Sequence, residues 1–161
     1  MSGLRRLPWL IALAVLGLPA PPARAGDIVA FLSDGRPDEV WDRGYGAALS
    51  FSFFRIATFE SEAARQPGIG DNRDITSFTV SGLLSPPIGK LVPYAGLGVG
   101  LYRQSAGDVS DNGTLRVLVA GLKISLGGLI VLKAEYRDFE LPDEALLLLD
   151  SRWSVGAGIS F

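Results

Sequence analysis

The groups able to do chemistry in this chain are carboxylates, hydroxyls, lysine and arginine, because the 161-residue sequence has no histidine and no cysteine. Lys133, Glu135 and Arg137 recur at every second position, which places all three on one face of a β-strand. Asp150 and Arg152 have the same spacing near the carboxyl end. These five groups of mixed sign predict an internal cluster of ion pairs.

A catalytic interpretation of the cluster needs an unusual base. A serine nucleophile is commonly activated by histidine. In this chain Lys133 or Glu135 would have to take that role, with its proton affinity changed by burial. Structural pairing is the simpler interpretation, because opposite charges that share an interior neutralise one another. We therefore predict a structural cluster and no catalytic residue.

Metal binding has little support in the sequence. Four aspartates fall in predicted loops, namely Asp71, Asp74, Asp108 and Asp111. Their spacing does not match a calcium-binding loop, so solvated loop carboxylates are the expectation. We predict neither a metal site nor a cofactor.

The residues from Arg152 to Phe161 carry the clearest strand pattern. Bulky apolar side chains occupy one face: Trp153, Val155, Ala157, Ile159 and Phe161. The other face is small or polar and cannot fill the core of a soluble protein by itself. A strand with its bulky face toward lipid and its small polar face toward a lumen explains this division better.

The same alternation predicts eight strands after Gly26. The first seven are Asp27–Ser33, Arg43–Ser52, Phe53–Glu62, Ile75–Leu84, Leu91–Gln104, Thr114–Leu126 and Leu129–Leu141, and the last begins near Leu147. The longer predicted connections are Asp34–Asp42, Ala63–Asp74, Ser105–Gly113 and Pro142–Leu146, and Gly127-Gly128 makes one of the short turns. An even number of strands about ten residues long can cross a bilayer as a closed barrel. The pattern leaves the facing of the first, third and sixth strands open.

Strand direction sorts the aromatic residues into two rims. One rim contains Phe51, Phe53, Phe54 and Phe161, and the other contains Trp41, Tyr102, Tyr136 and Trp153. Aromatic girdles at both interfaces are typical of membrane barrels. Among them we assign Phe51, Tyr136, Trp153 and Phe161 to the lipid-facing girdle.

The first 25 residues have the pattern of a secretory signal peptide. Two arginines precede the apolar run Leu7–Leu18, and Ala23-Arg24-Ala25 resembles a cleavage site. The run is too short to favour a retained anchor helix. We predict a signal peptide at residues 1–25 and one barrel domain at residues 26–161. Cleavage removes three arginines and no acidic residue, so the mature chain is acidic and nucleic acid is not an expected partner.

The stretch from Pro93 to Leu101, together with the aromatic end at Phe161, resembles the small eight-stranded bacterial outer-membrane β-barrels of the OmpA, OmpX and opacity-protein superfamily. The resemblance implies an all-β, antiparallel, up-and-down transmembrane barrel in the outer membrane. It also implies that the barrel-assembly machinery recognises the strand ending in Phe161.

The resemblance implies a structural, envelope or surface-interaction role rather than catalysis, because the known enzymes on small outer-membrane barrels depend on histidine. Lipid and lipopolysaccharide are expected partners, with Arg103 and Arg116 as possible phosphate contacts. We expect a monomer with a plugged lumen.

Two alternatives remain at this point. One is a small hydrophobic-solute channel or binding barrel of the OmpW kind, and the other is a soluble periplasmic lipocalin-like barrel. The soluble alternative requires an inward facing of the side chains that our interpretation turns outward: Leu97, Val99, Val155 and Ile159.

Overall fold

The computed structural model describes residues 24–37, 42–54, 56–68, 73–142 and 149–161. Eight β-strands account for most of them: β1 (Arg24–Pro37), β2 (Asp42–Phe53), β3 (Ala57–Pro67), β4 (Arg73–Leu84), β5 (Leu91–Ala106), β6 (Val109–Leu126), β7 (Ile130–Glu140) and β8 (Leu149–Ser160). Within the described ranges no helix is long and apolar enough to cross a membrane. The predicted signal peptide lies outside the described residues, except that Arg24 and Ala25 begin β1.

The strands form a closed antiparallel barrel in which each strand pairs with its neighbours in the chain and β1 pairs with β8. Following paired residues from Gly26 once around the barrel leads back to β1 between Gly35 and Pro37. The strands are therefore staggered by roughly ten residues, and strands must tilt for such a stagger to close. The predicted all-β, eight-stranded antiparallel barrel is confirmed.

Burial alternates along the strands, with apolar side chains outside. Leu97 is 69% exposed and Val155 is 65% exposed, while Val99 and Ile159 are also exposed. This facing contradicts the soluble lipocalin-like alternative, which needs these four side chains inside. The same alternation settles the strands left open, since Val29 of β1, Glu60 of β3 and Val117 of β6 are buried.

Several predicted boundaries are wrong because the strands are longer than the alternation indicated. Asp111-Asn112-Gly113 does not form a turn but lies within β6, where Asn112 pairs with Arg103. The chain reverses instead at Gly107 and Asp108, and Gly107 supplies a positive φ of 61°. The predicted third strand also begins too early, because β2 continues to Phe53 and β3 starts at Ala57. The predicted reversal at Gly127-Gly128 is confirmed.

Candidate functional site

The barrel interior holds a cluster of six buried charged side chains. β3 contributes Glu60 and Glu62, β7 contributes Lys133, Glu135 and Arg137, and β8 contributes Arg152. Within each strand the spacing of two residues directs the side chains to the same face. β3 and β7 are four strands apart in an eight-stranded barrel, so the cluster joins opposite walls. We call these six residues the lumen cluster.

Ion pairs cross the lumen from β7 to β3. Lys133 Nζ lies 2.8 Å from Glu60 Oε2 and 2.8 Å from Glu135 Oε2. Arg137 Nη2 lies 2.7 Å from Glu60 Oε1 and 3.0 Å from Glu62 Oε2. Arg137 Nε donates to Glu135 Oε1 at 2.6 Å. Side chains from opposite walls therefore meet at hydrogen-bond distance across the lumen.

Two neutral side chains add hydrogen bonds to the cluster. Arg137 Nη1 donates to Thr79 Oγ1 at 2.8 Å, and Tyr94 OH donates to Glu135 Oε2 at 2.8 Å. Three carboxylates face three cations, so the cluster is neutral. Pairing with additional hydrogen bonds is the condition under which charges persist in an interior of low dielectric constant.

Arg152 on β8 is the third cation of the cluster. It pairs with Glu62, and its guanidinium carbon lies 5.2 Å from the ring centroid of Phe31 and 5.4 Å from that of Phe139. Both distances fall in the range of cation–π contacts. Nε and Nη1 of Arg152 have no hydrogen-bond partner among the described atoms, so the aromatic rings supply its remaining contacts.

Three carboxylates of the cluster have oxygens close enough to hold a cation, within 4.8 Å of one another: Glu60, Glu62 and Glu135. The same carboxylates are already paired with Lys133, Arg137 and Arg152. A divalent cation would have to displace these internal cations. The arrangement therefore fits ion pairing better than metal coordination.

A second internal pair lies near the other end of the lumen, where β1 begins. Lys123 Nζ is 2.5 Å from Asp27 Oδ2, and Asp27 also accepts hydrogen bonds from Ser160 Oγ at 2.7 Å and Ser50 Oγ at 3.2 Å. Neither of these charged residues was among the internal charges predicted from the sequence, and neither were Glu60 and Glu62. A register for β3 would have identified the two glutamates, because they have the same spacing as Lys133 and Glu135.

The structure brings together four of the five residues predicted for the internal cluster. Lys133, Glu135, Arg137 and Arg152 are buried at its centre. Asp150 is exposed and forms no ion pair with the part of the chain that the structure describes. The acidic partner of Arg152 is Glu62 on β3.

The aromatic residues assigned to the girdle lie on the outer surface in two pairs. Phe51 and Phe161 meet edge to face with ring centroids 6.3 Å apart, and Tyr136 packs against Trp153 at 4.8 Å. Tyr102 is only 5% exposed and points inward near the outer end of β5, so it is not part of the lipid-facing girdle. Trp41 lies outside the described residues.

The two arginines predicted as phosphate contacts both face outward, in different surroundings. Arg116 lies 3.8 Å from Glu140, and its side chain is 79% exposed. Arg103 is exposed and lies between Thr76 and Asn112 in the register. Arg103 forms no ion pair with the described residues.

The chain matches no family by sequence and no curated protein. It is similar in structure to Neisserial surface protein A (TM-score 0.65, 14% identity, 84% of this chain and 94% of that one). It is also similar to Ail, the attachment invasion locus protein of Yersinia pestis (TM-score 0.58, 19% identity, 86% and 99%). A third match is the outer membrane enzyme PagL (TM-score 0.53, 14% identity, 84% and 98%). The chain therefore shares the eight-stranded closed-barrel fold of these proteins.

Proposed function

We propose that this chain is an integral protein of the bacterial outer membrane, with a closed lumen and a non-enzymatic role in envelope structure or surface interaction. The observation that carries the proposal is the inverted facing. Apolar side chains cover the outside, and a neutral ionic cluster fills the inside. A lipid environment makes the exposed apolar surface favourable.

The distribution of outward charges supports a membrane-spanning orientation. Arg65, Arg103, Arg116 and Glu140 are exposed near the barrel end that contains the β5–β6 tip. The opposite end has the Phe51–Phe161 pair and the short reversals after β2 and β6. The longest connection, between the end of β7 at Glu140 and the start of β8 at Leu149, lies at the same end as the β5–β6 tip. Outer-membrane barrels have their longer connections outside, so this end faces outside.

A non-enzymatic role agrees with the state of the internal charges. Glu135 accepts from Lys133, Arg137 and Tyr94, and Lys133 contacts two carboxylates, so neither group is free to act as a base. PagL is an enzyme with the same fold, so the fold alone does not decide this point. The ion pairing of all three glutamates in the lumen cluster, and a sequence without histidine, support the structural role.

The expected partners follow from the membrane location. Outer-membrane lipid and lipopolysaccharide contact the outer wall, and the barrel-assembly machinery binds the strand that ends in Phe161. In the folded barrel Phe161 N donates to Gly26 O at 2.8 Å, so the last residue takes part in closing β8 onto β1. A signal peptide at residues 1–25 directs export, and the barrel is a monomer.

Ion conductance separates this proposal from the small-solute channel. The purified full-length protein, reconstituted in planar bilayers, is expected to give no conductance above that of a protein-free bilayer, because the lumen cluster joins β3 to β7. Reproducible channel openings in the wild-type protein would contradict the closed lumen and favour the small-solute channel.

A further inference from the structure

The outer wall has an open groove across β3 to β6, with a volume of about 490 Å³. Phe78 and Leu101 provide its apolar surface, and the smaller Ala63 and Thr114 leave space beside them. A second groove of about 660 Å³ shares Phe78, Leu101 and Thr114 and continues toward the end of β7. The two grooves therefore adjoin on the surface that we place in lipid.

Polar side chains lie at the outer end of the first groove. Thr76 pairs with Arg103, and Arg103 pairs with Asn112, so the three residues form one row across β4, β5 and β6. All three are exposed and line the groove. Neighbouring side chains in such a row have Cβ atoms about 5 Å apart. The row presents a guanidinium, a hydroxyl and an amide, all of which can donate to phosphate oxygens.

The surrounding charges leave Arg103 as the anion-binding group. Asp74, the acid on the same outer face of β4, is held by Arg65, with Arg65 Nε 2.9 Å from Asp74 Oδ2. Glu140 on β7 is paired with Arg116 on β6. Arg103 has no carboxylate partner among the described residues, so its charge is available to a ligand.

We propose that this groove is a specific site for one outer-leaflet lipid, whose phosphate binds Arg103, Thr76 and Asn112 and whose acyl chain lies along Phe78 and Leu101. The inference rests on the proposed membrane location and deepens it. It assigns phosphate recognition to Arg103 rather than Arg116. The occupant is a phosphorylated membrane lipid, and lipid A is the probe that has this chemistry in the outer leaflet.

Native mass spectrometry of the full-length barrel with lipid A, and with the same lipid after removal of its phosphates, tests the site. We expect lipid A to bind one-to-one and more tightly than the dephosphorylated lipid. R103Q should weaken lipid A binding about tenfold, the effect of losing one charge-assisted hydrogen bond. The same substitution should leave the dephosphorylated lipid unaffected.

R43Q is the matched control, because Arg43 is another exposed, outward-facing arginine at the same end of the barrel but outside both grooves. We expect it to bind both lipids as the wild type does. T114L fills the groove and leaves Arg103 in place, so it should weaken the binding of both lipids.

Equal losses in R103Q and R43Q would overturn the site, and so would equal binding of the two lipids to the wild type. Unchanged binding in T114L would exclude the acyl-chain contact. Every variant is first tested for a boiled-versus-unboiled gel shift. A wild type that shows this shift but does not prefer phosphate therefore disproves the lipid site alone. A wild type without the shift disproves the membrane barrel on which the site depends.

Discussion

At the scale of single residues, Arg137 is the centre of the lumen cluster. Its guanidinium contacts all three glutamates of the cluster and the hydroxyl of Thr79. A planar guanidinium has five donors in fixed directions, so it can join several acceptors at once, which a lysine ammonium does less well. Arg137 is therefore a cation that joins the two walls of the cluster, since it contacts Glu135 on β7 as well as Glu60 and Glu62 on β3.

Arg137→Met is expected to lower the free energy of unfolding by about 3–5 kcal/mol, because it leaves three buried carboxylates facing two cations, with one negative charge uncompensated. Urea unfolding of the barrel refolded into lipid vesicles measures the change. Arg116→Gln is the control, since the Arg116–Glu140 pair is exposed and contributes little. Similar unfolding midpoints for the two variants would show that the cluster does not stabilise the barrel.

The composition of the cluster could be predicted only in part from the sequence. Lys133, Glu135 and Arg137 stand in an unambiguous alternation, so their common face follows directly. Glu60 and Glu62 come from a distant part of the chain, and their strand had no assigned facing. Pairing between β3 and β7 across the lumen is set by barrel closure, which local alternation does not contain.

At the scale of the elements, the seam between β8 and β1 closes the barrel. Gly158 pairs with Val29 there, and a Cβ at Gly158 would collide with the carbonyl oxygen of Ile28. Glycine allows this close approach of the two backbones. Gly82 on β4 is different, because a Cβ at that position would meet no atom within 4 Å.

Gly158→Ala is therefore expected to cost about 1–3 kcal/mol, the usual effect of forcing extra volume into a packed site. The fraction of this variant that refolds, measured from the gel shift, should be lower than that of the wild type. Gly82→Ala should be neutral or slightly stabilising, because alanine restricts the unfolded chain. Equal folded fractions for the two alanine variants would contradict the close backbone approach at Gly158.

The predictability of each element depended on how different its two faces are. β5 and β8 have bulky apolar residues on one face and glycines on the other, so their facing was predicted from sequence. β1 and β6 are apolar on both faces, with Val117 and Val119 inside and Leu118 outside on β6. Alternation in hydropathy cannot orient such strands. The misplaced turn at Asp111–Gly113 has a similar cause, since pairing with β5 overrides the local turn preference.

At the scale of the whole molecule, closure and inverted facing together account for the fold. A closed barrel pairs every strand and leaves no sheet edge along its wall, which lipid requires. The architecture could be predicted because it follows from strand number and alternation. The role could not, because the same fold occurs in proteins as different as Ail and PagL.

Heat-modifiable migration on a detergent gel tests the membrane-barrel assignment most directly. Cells expressing the full chain are fractionated, and the outer-membrane and soluble periplasmic fractions are run boiled and unboiled. We predict that the protein is in the outer-membrane fraction and migrates differently after boiling, because its internally paired backbone resists detergent until it is heated. Recovery in the soluble periplasm with no shift on boiling would contradict the account.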